Sequence, residues 1–400
     1  MRSGKSTRVM MYSHDSYGLG HLRRTLALAE TFVRRNPKSD VIIVTGSTLS
    51  NAYRLPKGVD VVKLPSAVKT GAGVYEAGRL SVDFSRVRKI RSNIIKGTLE
   101  AFDPDVFIVD KAPIGMKGEV EETLRFVKEH RPETLTVLGL RDVMDDPGLV
   151  RKSWREGRIP EAVRELYDIV FVYGPREVYD PLPEYGLDDE TLAKTHYVGY
   201  VGKRRNLKSV EELPFTPGYA LVTVGGGGDG LRIIESYLKG LALYRPEYGS
   251  VVVTGPMMSD KDRNRVEGLA KGLPVRVLEF RADMDAVIQG ARAVVTMGGY
   301  NTTTELLEAG KPAVIVPRVE PRVEQLIRAE KLQEAGLMDM IHPDDLTPEL
   351  MRAKVEDMME SSLPEARKQA RSLVDLSGAD RAVALVEDRL EERARLVAHA

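Results

Sequence analysis

Short apolar runs recur along the first half of the chain, and helical segments separate them. The runs are Val9–Ser13, Val41–Thr45, Val59–Leu64, Val106–Asp110, Leu135–Leu140 and Ile169–Tyr173. Between them, apolar residues fall at helical spacing, as in Thr25–Arg35. Strands that alternate with helices predict a parallel sheet covered by helices on both faces. The first half is therefore predicted to be a doubly wound α/β domain.

The same alternation resumes in the second half after a stretch without periodicity. Its apolar runs are Ala220–Val224, Val251–Thr254, Val275–Phe280, Ala293–Met297 and Ala313–Val316. The stretch before them is rich in charge and turn formers, which is typical of a linker. We predict a domain at 1–202, a linker at 203–218, a second domain at 219–375 and a C-terminal helix at 376–400 that could pack back on the first domain.

Composition excludes several classes of protein. The 59 basic residues equal the 59 acidic ones, so no global field would recruit nucleic acid. There is no cysteine, which excludes disulfides and thiol nucleophiles. No apolar stretch reaches membrane-spanning length, and we expect a cytoplasmic protein. Arg79–Lys96 is a predicted basic helix, interpreted either as a solvated face or as a peripheral contact with membrane headgroups or an anionic acceptor.

Two glycine-rich turns between a strand and a helix are candidate anion sites. Loops after the strands of an open α/β sheet bind ligands, and a helix N-terminus favours phosphate. The alternative is a pair of ordinary turns with threonine caps. The turns lack the dinucleotide fingerprint and the P-loop lysine, which argues against a dehydrogenase or an ATPase. The candidate residues are Gly225, Gly226, Gly227, Gly228 and Asp229 in the first turn, and Gly298, Gly299, Asn301, Thr302 and Thr303 in the second.

Further polar residues follow the second turn. Glu305 lies one helical turn beyond it and could accept both hydroxyls of a ribose, although a solvent-facing glutamate is the alternative. Arg318, Arg322, Glu324 and Gln325 follow the next strand and could bind hydroxyls or charge on the rest of the ligand.

The first domain carries a histidine loop. His21 follows Gly18 and Gly20 at the start of a helix, and His14 precedes them. Histidine is readily poised as a general base near neutral pH, while a capping or packing role is the alternative. Three aspartates at 142, 145 and 146 could hold Mg²⁺, but a loop and helix start explains them, and we predict no metal.

The C-terminal half resembles the donor domain of GT-B glycosyltransferases, most closely the MurG-like family that adds N-acetylglucosamine to a lipid-linked peptidoglycan precursor. The matching segments are Gly225–Gly230, Glu279–Met284 and Met297–Pro317. The resemblance implies two Rossmann-like doubly wound domains facing across a cleft. It assigns the first glycine loop to the diphosphate, the segment with Phe280, Arg281 and Met284 to uracil, Glu305 to the ribose and Gln325 to the sugar. That family often has Asp-Gln or Gln-Gln where this sequence has Glu324-Gln325.

The loop that ends at His21 resembles the family's glycine-rich loop, whose last histidine is the proposed base. Gly-x-Gly-His-x-x-Arg is also similar to nucleotide-sugar hydrolases of pseudaminic acid synthesis. We expect a metal-independent glycosyltransferase that uses a nucleotide-sugar, UDP-linked such as UDP-N-acetylglucosamine, as co-substrate without another cofactor. Its acceptor hydroxyl is unknown and could be lipid-linked or anionic. The alternatives are a nucleotide-sugar hydrolase or epimerase, and a non-catalytic binding protein.

Overall fold

The computed structural model describes residues 6–14, 20–47, 55–71, 74–202, 216–281, 283–360, 371–372 and 374–399. Contacts divide the chain into two units, one within 1–142, 147–203 and 377–400, the other within 143–146 and 204–376. Gly18 and residues 203–215 of the predicted linker lie outside the described residues.

The first unit is built on a seven-stranded sheet whose paired strands are all parallel. The strands of this unit are β1 (Arg8–Ser13), β2 (Asp40–Thr45), β3 (Val59–Lys63), β4 (Ala67–Gly71), β5 (Val74–Ala77), β6 (Val106–Asp110), β7 (Leu135–Arg141), β8 (Ile169–Tyr173) and β9 (Thr195–Tyr197). The order across the sheet is β3-β2-β1-β6-β7-β8-β9, and β4 and β5 form a separate antiparallel pair. Every residue of β6, β7 and β8 is buried, as expected for strands covered on both faces.

Helices connect these strands. They are α1 (Gly20–Arg35), α2 (Phe84–Phe102), α3 (Glu121–His130), α4 (Pro147–Glu156), α5 (Ile159–Leu166), α6 (Pro181–Tyr185) and α7 (Asp189–Ala193). Helix α1 begins five residues before the predicted Thr25, so that His21 lies in its first turn. The buried face of α1 includes Leu22, Leu26 and Phe32, which pack at helical spacing against the sheet.

The basic stretch Arg79–Lys96 differs from its prediction in two ways. Residues 79–83 are not helical, and α2 begins at Phe84. The Arg91 side chain turns inward, where its Nε lies 2.6 Å from Glu119 Oε2 and only 1% of the side chain is exposed. Lys96 pairs with Glu122 at 2.8 Å. The exposed cations of the stretch are Arg79, Arg86, Arg88 and Lys89.

The second unit contains a six-stranded parallel sheet. Its strands are β10 (Tyr219–Thr223), β11 (Ser250–Val253), β12 (Val275–Leu278), β13 (Ala291–Thr296), β14 (Ala313–Ile315) and β15 (Asp339–Met340), in the order β12-β11-β10-β13-β14-β15. Its helices are α8 (Leu231–Leu243), α9 (Asp260–Ala270), α10 (Met284–Gly290), α11 (Tyr300–Ala309), α12 (Glu324–Glu334) and α13 (Pro348–Glu360). Buried side chains of the sheet, such as Val222 and Val295, pack with Ile234 of α8 and Val355 of α13.

The last helix, α14 (Gly378–His399), belongs to the first unit. It pairs with the end of α1 through Arg34 Nη2 and Asp380 Oδ1, 2.6 Å apart, and through Arg35 and Glu387, 2.7 Å apart. These pairs are partly exposed, so their electrostatic contribution to stability is small. In the described residues, no helix combines the length and the apolar character that crossing a membrane requires.

Candidate active site

Both sheets reverse their strand order next to their first strand. In the first unit the reversal lies between β1 and β6, and in the second between β10 and β13. Parallel sheets bind ligands outside the carboxyl ends of their strands at such a reversal. His14 and both glycine-rich turns directly follow three of these strands, His21 lies in the first turn of the helix after β1, and Asp110 is the last residue of β6. The topology therefore places the predicted chemistry where this fold class builds its sites.

In the first unit, His21 is held by a buried carboxylate. Its Nδ1 lies 2.7 Å from Oδ2 of Asp110, the last residue of β6. Arg24, one turn further along α1, donates to Asp110 Oδ1 from Nε at 3.0 Å and from Nη2 at 2.6 Å. The exposed fractions of the Arg24 and Asp110 side chains are 1% and 5%, against 15% for His21. The histidine is thus the part of this group that solvent or a substrate can reach.

Burial and the neighbouring charges set the protonation states of Asp110 and His21. Burial alone would raise the pKa of Asp110, but Arg24 and His21 outweigh it and hold that pKa well below its usual range. Burial lowers the pKa of His21 to about 3, although Asp110 opposes the shift. His21 Nδ1 lies 2.7 Å from the Asp110 carboxylate, which only accepts, and 3.0 Å from Arg24 Nη2, which only donates. We assign the proton of the neutral ring to Nδ1 because the contact with the carboxylate is the shorter one. The Nε2 lone pair is then available for a proton from a substrate.

His14 belongs to a second buried network. Its Nδ1 is 3.4 Å from the Tyr12 hydroxyl, which donates to Glu119 Oε1 at 2.6 Å. Arg91 donates to both oxygens of Glu119 at 2.6 Å. Burial, followed by the nearby Lys111, lowers the pKa of His14 well below its usual value. The rings of His14 and His21 stand edge to face with centroids 5.9 Å apart, so both predicted histidines lie at one site.

Of the two glycines before His21, only Gly20 is among the described residues. Gly20 is exposed and is the first residue of α1, directly before His21. Gly18 lies outside the described residues, so its predicted role stays a prediction.

In the second unit, the loop after β10 requires glycine at Gly227. Its φ of +92° is in the left-handed region, and an added Cβ would lie 2.1 Å from the Thr254 carbonyl oxygen. Met257 donates its backbone N–H to the Gly226 oxygen at 2.8 Å. Gly225, Gly226 and Gly228 are exposed. Backbone contacts thus hold the loop against the loop after β11 and leave one surface open to a ligand.

The turn after β13 leads into α11 through Gly298 and Gly299. Gly298 has a φ of +75°, and its carbonyl accepts from Nη1 of the buried Arg328 at 3.2 Å. An added Cβ at Gly299 would meet nothing within 4 Å, which leaves room for a ligand at the helix start. The positive end of the helix dipole at Tyr300 favours an anion there.

The polar side chains of α11 differ in accessibility. Asn301, Thr302 and Glu305 are half-buried, so a ligand at the turn could reach them. Thr303 is fully buried, and its hydroxyl has no hydrogen-bond partner among the described residues. Thr303 is therefore placed under the helix start rather than on its open surface. Its assignment to the ligand stays a prediction.

Arg318 connects three other predicted residues. Its guanidinium lies 3.3 Å from Asp229 Oδ2 and 3.4 Å from Glu324 Oε1. Its backbone N–H donates to Gln325 Oε1 at 2.9 Å. The structure thus brings the end of the first glycine loop together with the pair at the start of α12.

The segment assigned to uracil follows the edge strand β12. The Phe280 ring is 54% exposed, and Met284 is the half-buried first residue of α10. Arg281 donates from Nε and Nη2 to the two oxygens of Asp283 at 2.7 and 2.6 Å. Because the Arg281 side chain is paired with Asp283, the backbone of this segment is the part that could bind uracil.

No group of acidic or histidine residues in the described ranges has the geometry to hold a metal ion. The Asp142, Asp145 and Asp146 run lies in the loop between β7 and α4. Two residues important to the site were missed in the sequence. Asp110 ends an apolar strand where ligand-binding loops begin, and this position could have marked it in the sequence. Nothing in the sequence indicates that the Arg328 side chain turns inward.

Solved structures with this architecture define its class. The glycotransferase of kitacinnamycin is similar over 97% of this chain and 100% of that one, with a TM-score of 0.69 and 20% identity. MurG from Acinetobacter baumannii is similar over 96% and 99%, with a TM-score of 0.62 and 14% identity. The chain therefore has the GT-B fold with two Rossmann-like units, as predicted.

Sequence comparisons agree with this fold. Residues 220–385 match the glycosyltransferase family 28 C-terminal domain. A relative from Geobacter sp. (strain M21), UDP-N-acetylglucosamine–N-acetylmuramyl-(pentapeptide) pyrophosphoryl-undecaprenol N-acetylglucosamine transferase, is 27% identical over 389 residues, 94% of each chain. The predicted resemblance to the MurG-like family is confirmed. The protein is a glycosyltransferase with the GT-B fold, and its similarity to the family 28 C-terminal domain covers residues 220–385.

Proposed function

We propose that this enzyme transfers a sugar from a UDP-sugar, with UDP-N-acetylglucosamine as the first candidate, to an acceptor hydroxyl. The observation that carries the proposal is the His21–Asp110 contact of 2.7 Å at the strand reversal of the first unit. The name of the Geobacter relative supports the donor. The reaction needs a group to take the hydroxyl proton and a site to stabilise the departing diphosphate.

His21 is the proposed base. Its Nε2 removes the acceptor proton while the acceptor oxygen attacks the anomeric carbon and the bond to the diphosphate breaks. Asp110 keeps the ring in the required tautomer and stabilises the imidazolium that forms. Arg24 fixes the carboxylate through three hydrogen bonds, two to Oδ1 and one to Oδ2, and is too buried to contact a substrate.

The second unit is proposed to bind the donor without a metal ion. The glycine loop at 225–228 and the start of α11 offer backbone N–H groups and a helix dipole to the diphosphate. Glu305 is half-buried on the second turn of α11, where it can accept the ribose hydroxyls. Gln325, held by the Arg318 N–H, is proposed to meet the sugar.

The acceptor is proposed to be lipid-linked. The name of the Geobacter relative includes an undecaprenol carrier. In this chain, Val74, Leu80, Val82 and Ile90 are among the exposed large apolar side chains, with exposures of 38–54%. They lie in the same stretch as the exposed cations between Arg79 and Lys89. Apolar and basic side chains together suit an anionic membrane surface.

The test is release of UDP from UDP-N-acetylglucosamine with and without a polyprenyl-diphosphate-linked muramyl acceptor, in buffer with EDTA. We expect release that depends on the acceptor, survives EDTA and is lost in His21→Ala, while UDP still binds. His130→Ala is the matched control, because His130 is an exposed histidine at the end of α3. Equal release without acceptor would indicate a hydrolase, and full activity of His21→Ala would exclude His21 as the base.

A further inference from the structure

Arg318 occupies an unusual position at the ligand edge of the second sheet. It follows β14, whereas its partner Asp229 follows β10, and β13 lies between these two strands. The contact of 3.3 Å from Nη1 to Asp229 Oδ2 therefore carries the guanidinium across the carboxyl end of β13. That is the strand whose loop, at Gly298 and Gly299, opens α11.

The hydrogen-bonding capacity of this guanidinium is only partly used. Charge-assisted N–H···O contacts are usually about 2.7–2.9 Å long. The contacts of Arg318 with Asp229 and Glu324 are 3.3 and 3.4 Å. Its Nε is buried and has no partner among the described residues. By contrast, Arg24 reaches Asp110 at 2.6 Å. The geometry leaves Arg318 able to take up further anionic oxygens.

The neighbours of Arg318 indicate which part of a donor it would meet. On one side is Asp229, at the end of the loop proposed to bind the diphosphate. On the other are Glu324 and Gln325, and Gln325 is held by the Arg318 N–H at 2.9 Å. The guanidinium therefore lies between the diphosphate loop and the proposed sugar contact.

We propose that Arg318 binds anionic oxygens of the donor at the junction of sugar and diphosphate. This inference rests on the proposed function and adds a binding residue to it. Two donor groups have the required chemistry: the β-phosphate, and the carboxylate of an acidic sugar. Asp229 cannot donate to a phosphate, and its role is to hold Arg318 across the loop.

The test measures the affinities of UMP, UDP, UDP-N-acetylglucosamine and UDP-glucuronate for wild type, Arg318→Gln and Arg318→Lys by calorimetry. Arg245→Gln is the matched control. It removes one exposed arginine between α8 and β11, at the amino ends of the strands and so at the end of the sheet away from the proposed ligand. Melting temperatures show whether each variant is folded.

Loss of a charge-assisted contact should weaken binding by about 10- to 100-fold. If the β-phosphate is the partner, Arg318→Gln weakens UDP and both sugar donors by that factor and leaves UMP unchanged. If a sugar carboxylate is the partner, only UDP-glucuronate is weakened. Arg318→Lys, which keeps the charge without the planar fork, should fall between wild type and Arg318→Gln.

Unchanged affinities for all four probes in a folded Arg318→Gln would overturn the inference. An equal loss for all four, UMP included, would also overturn it, because the role would then be structural. Wild type that binds none of the probes would remove the proposed function together with this inference. If wild type binds the probes and Arg318→Gln binds them with the same affinities, the inference fails and the proposed function is unaffected.

Discussion

Replacing Asp110 by asparagine tests the proposed base most directly, because the change keeps the shape of the side chain and removes its charge. Asp110 accepts from His21 at 2.7 Å and from Arg24 at 2.6 Å. Only 5% of its side chain is exposed, so water cannot replace the lost charge. The asparagine would also leave the tautomer of His21 unspecified.

Two effects set the expected magnitude. The hydrogen bond between His21 and the carboxylate contributes about 1.5–3 kcal/mol. The imidazolium that forms during proton transfer would also face the Arg24 cation, whose Nη2 lies 3.0 Å from His21 Nδ1, without a carboxylate to balance the two positive charges. Unit charges about 4 Å apart interact by about 4 kcal/mol at an effective dielectric constant of about 20. Allowing for overlap of the two effects, the barrier rises by about 4–6 kcal/mol, which lowers kcat/KM by about 10³- to 10⁴-fold.

The assay is kcat/KM for acceptor-dependent UDP release, with UDP affinity and thermal stability measured alongside. UDP affinity should not change, because the proposed donor site is in the other unit. Asp168→Asn is the control, because it makes the same change in a carboxylate that pairs with Lys128 at 2.8 Å rather than with a residue of the site. Asp110→Asn should lose about 3–5 kcal/mol of stability, and Asp168→Asn should lose less because its ion pair is partly exposed. A folded Asp110→Asn with more than a tenth of wild-type activity, or an equally inactive Asp168→Asn, would refute the reasoning.

Three further predictions concern stability and surface binding. Folding lowers the pKa of His14 and that of His21, the latter to about 3, so the unfolded chain binds more protons below about pH 6.5. The unfolding free energy should therefore fall by up to about 1.4 kcal/mol per pH unit for each histidine as the pH drops. Urea unfolding at several pH values checks this, and the variant with both His14→Gln and His21→Gln should show a weaker dependence of the unfolding free energy on pH. Gly227→Ala should cost about 2 kcal/mol or more and weaken UDP binding, because its Cβ would strike a backbone oxygen at positive φ, whereas Gly228→Ala, with nothing within 4 Å, should melt close to wild type. Arg86→Glu should weaken binding to anionic vesicles about tenfold or more at about 1 kcal/mol per charge, with UDP affinity unchanged; equal vesicle binding would exclude this surface as the membrane contact.

The main strands were predictable because their cause is local. The run Val106–Val109 is apolar throughout and follows Asp103-Pro104-Asp105, and the structure has β6 at Val106–Asp110 as predicted. The β4–β5 pair and β15 were missed, because Ala67–Gly71 has only two consecutive apolar residues and β15 is only two residues long. The strand order of each sheet depends on pairing between distant segments, and periodicity carries no information about it.

The candidate site was also predictable only where its residues are close in sequence. The glycine loops and His21 were found because each motif lies within a few consecutive residues. The Asp110 partner lies 89 positions from His21, and only the pairing of β1 with β6 brings them together. The basic helix was misjudged at Arg91 for the same reason. Its partner Glu119 is 28 positions away, and a charge run does not show which members turn inward.

Among the described residues, the three largest fully buried side chains are all arginines, and their positions suggest a common use. Arg24 holds the carboxylate next to the base, Arg328 holds the carbonyl of Gly298, and Arg91 holds Glu119 under Tyr12. A buried cation stabilises a fold less than an apolar side chain of similar volume, because its desolvation offsets much of the pairing energy. Its advantage is geometric, since the planar guanidinium fixes the direction of its acceptor. Arg24 and Arg328 both act at the carboxyl ends of the strands where the sheet order reverses, so in each unit an arginine sets the direction of an acceptor at the ligand edge, as preorganisation of a site requires.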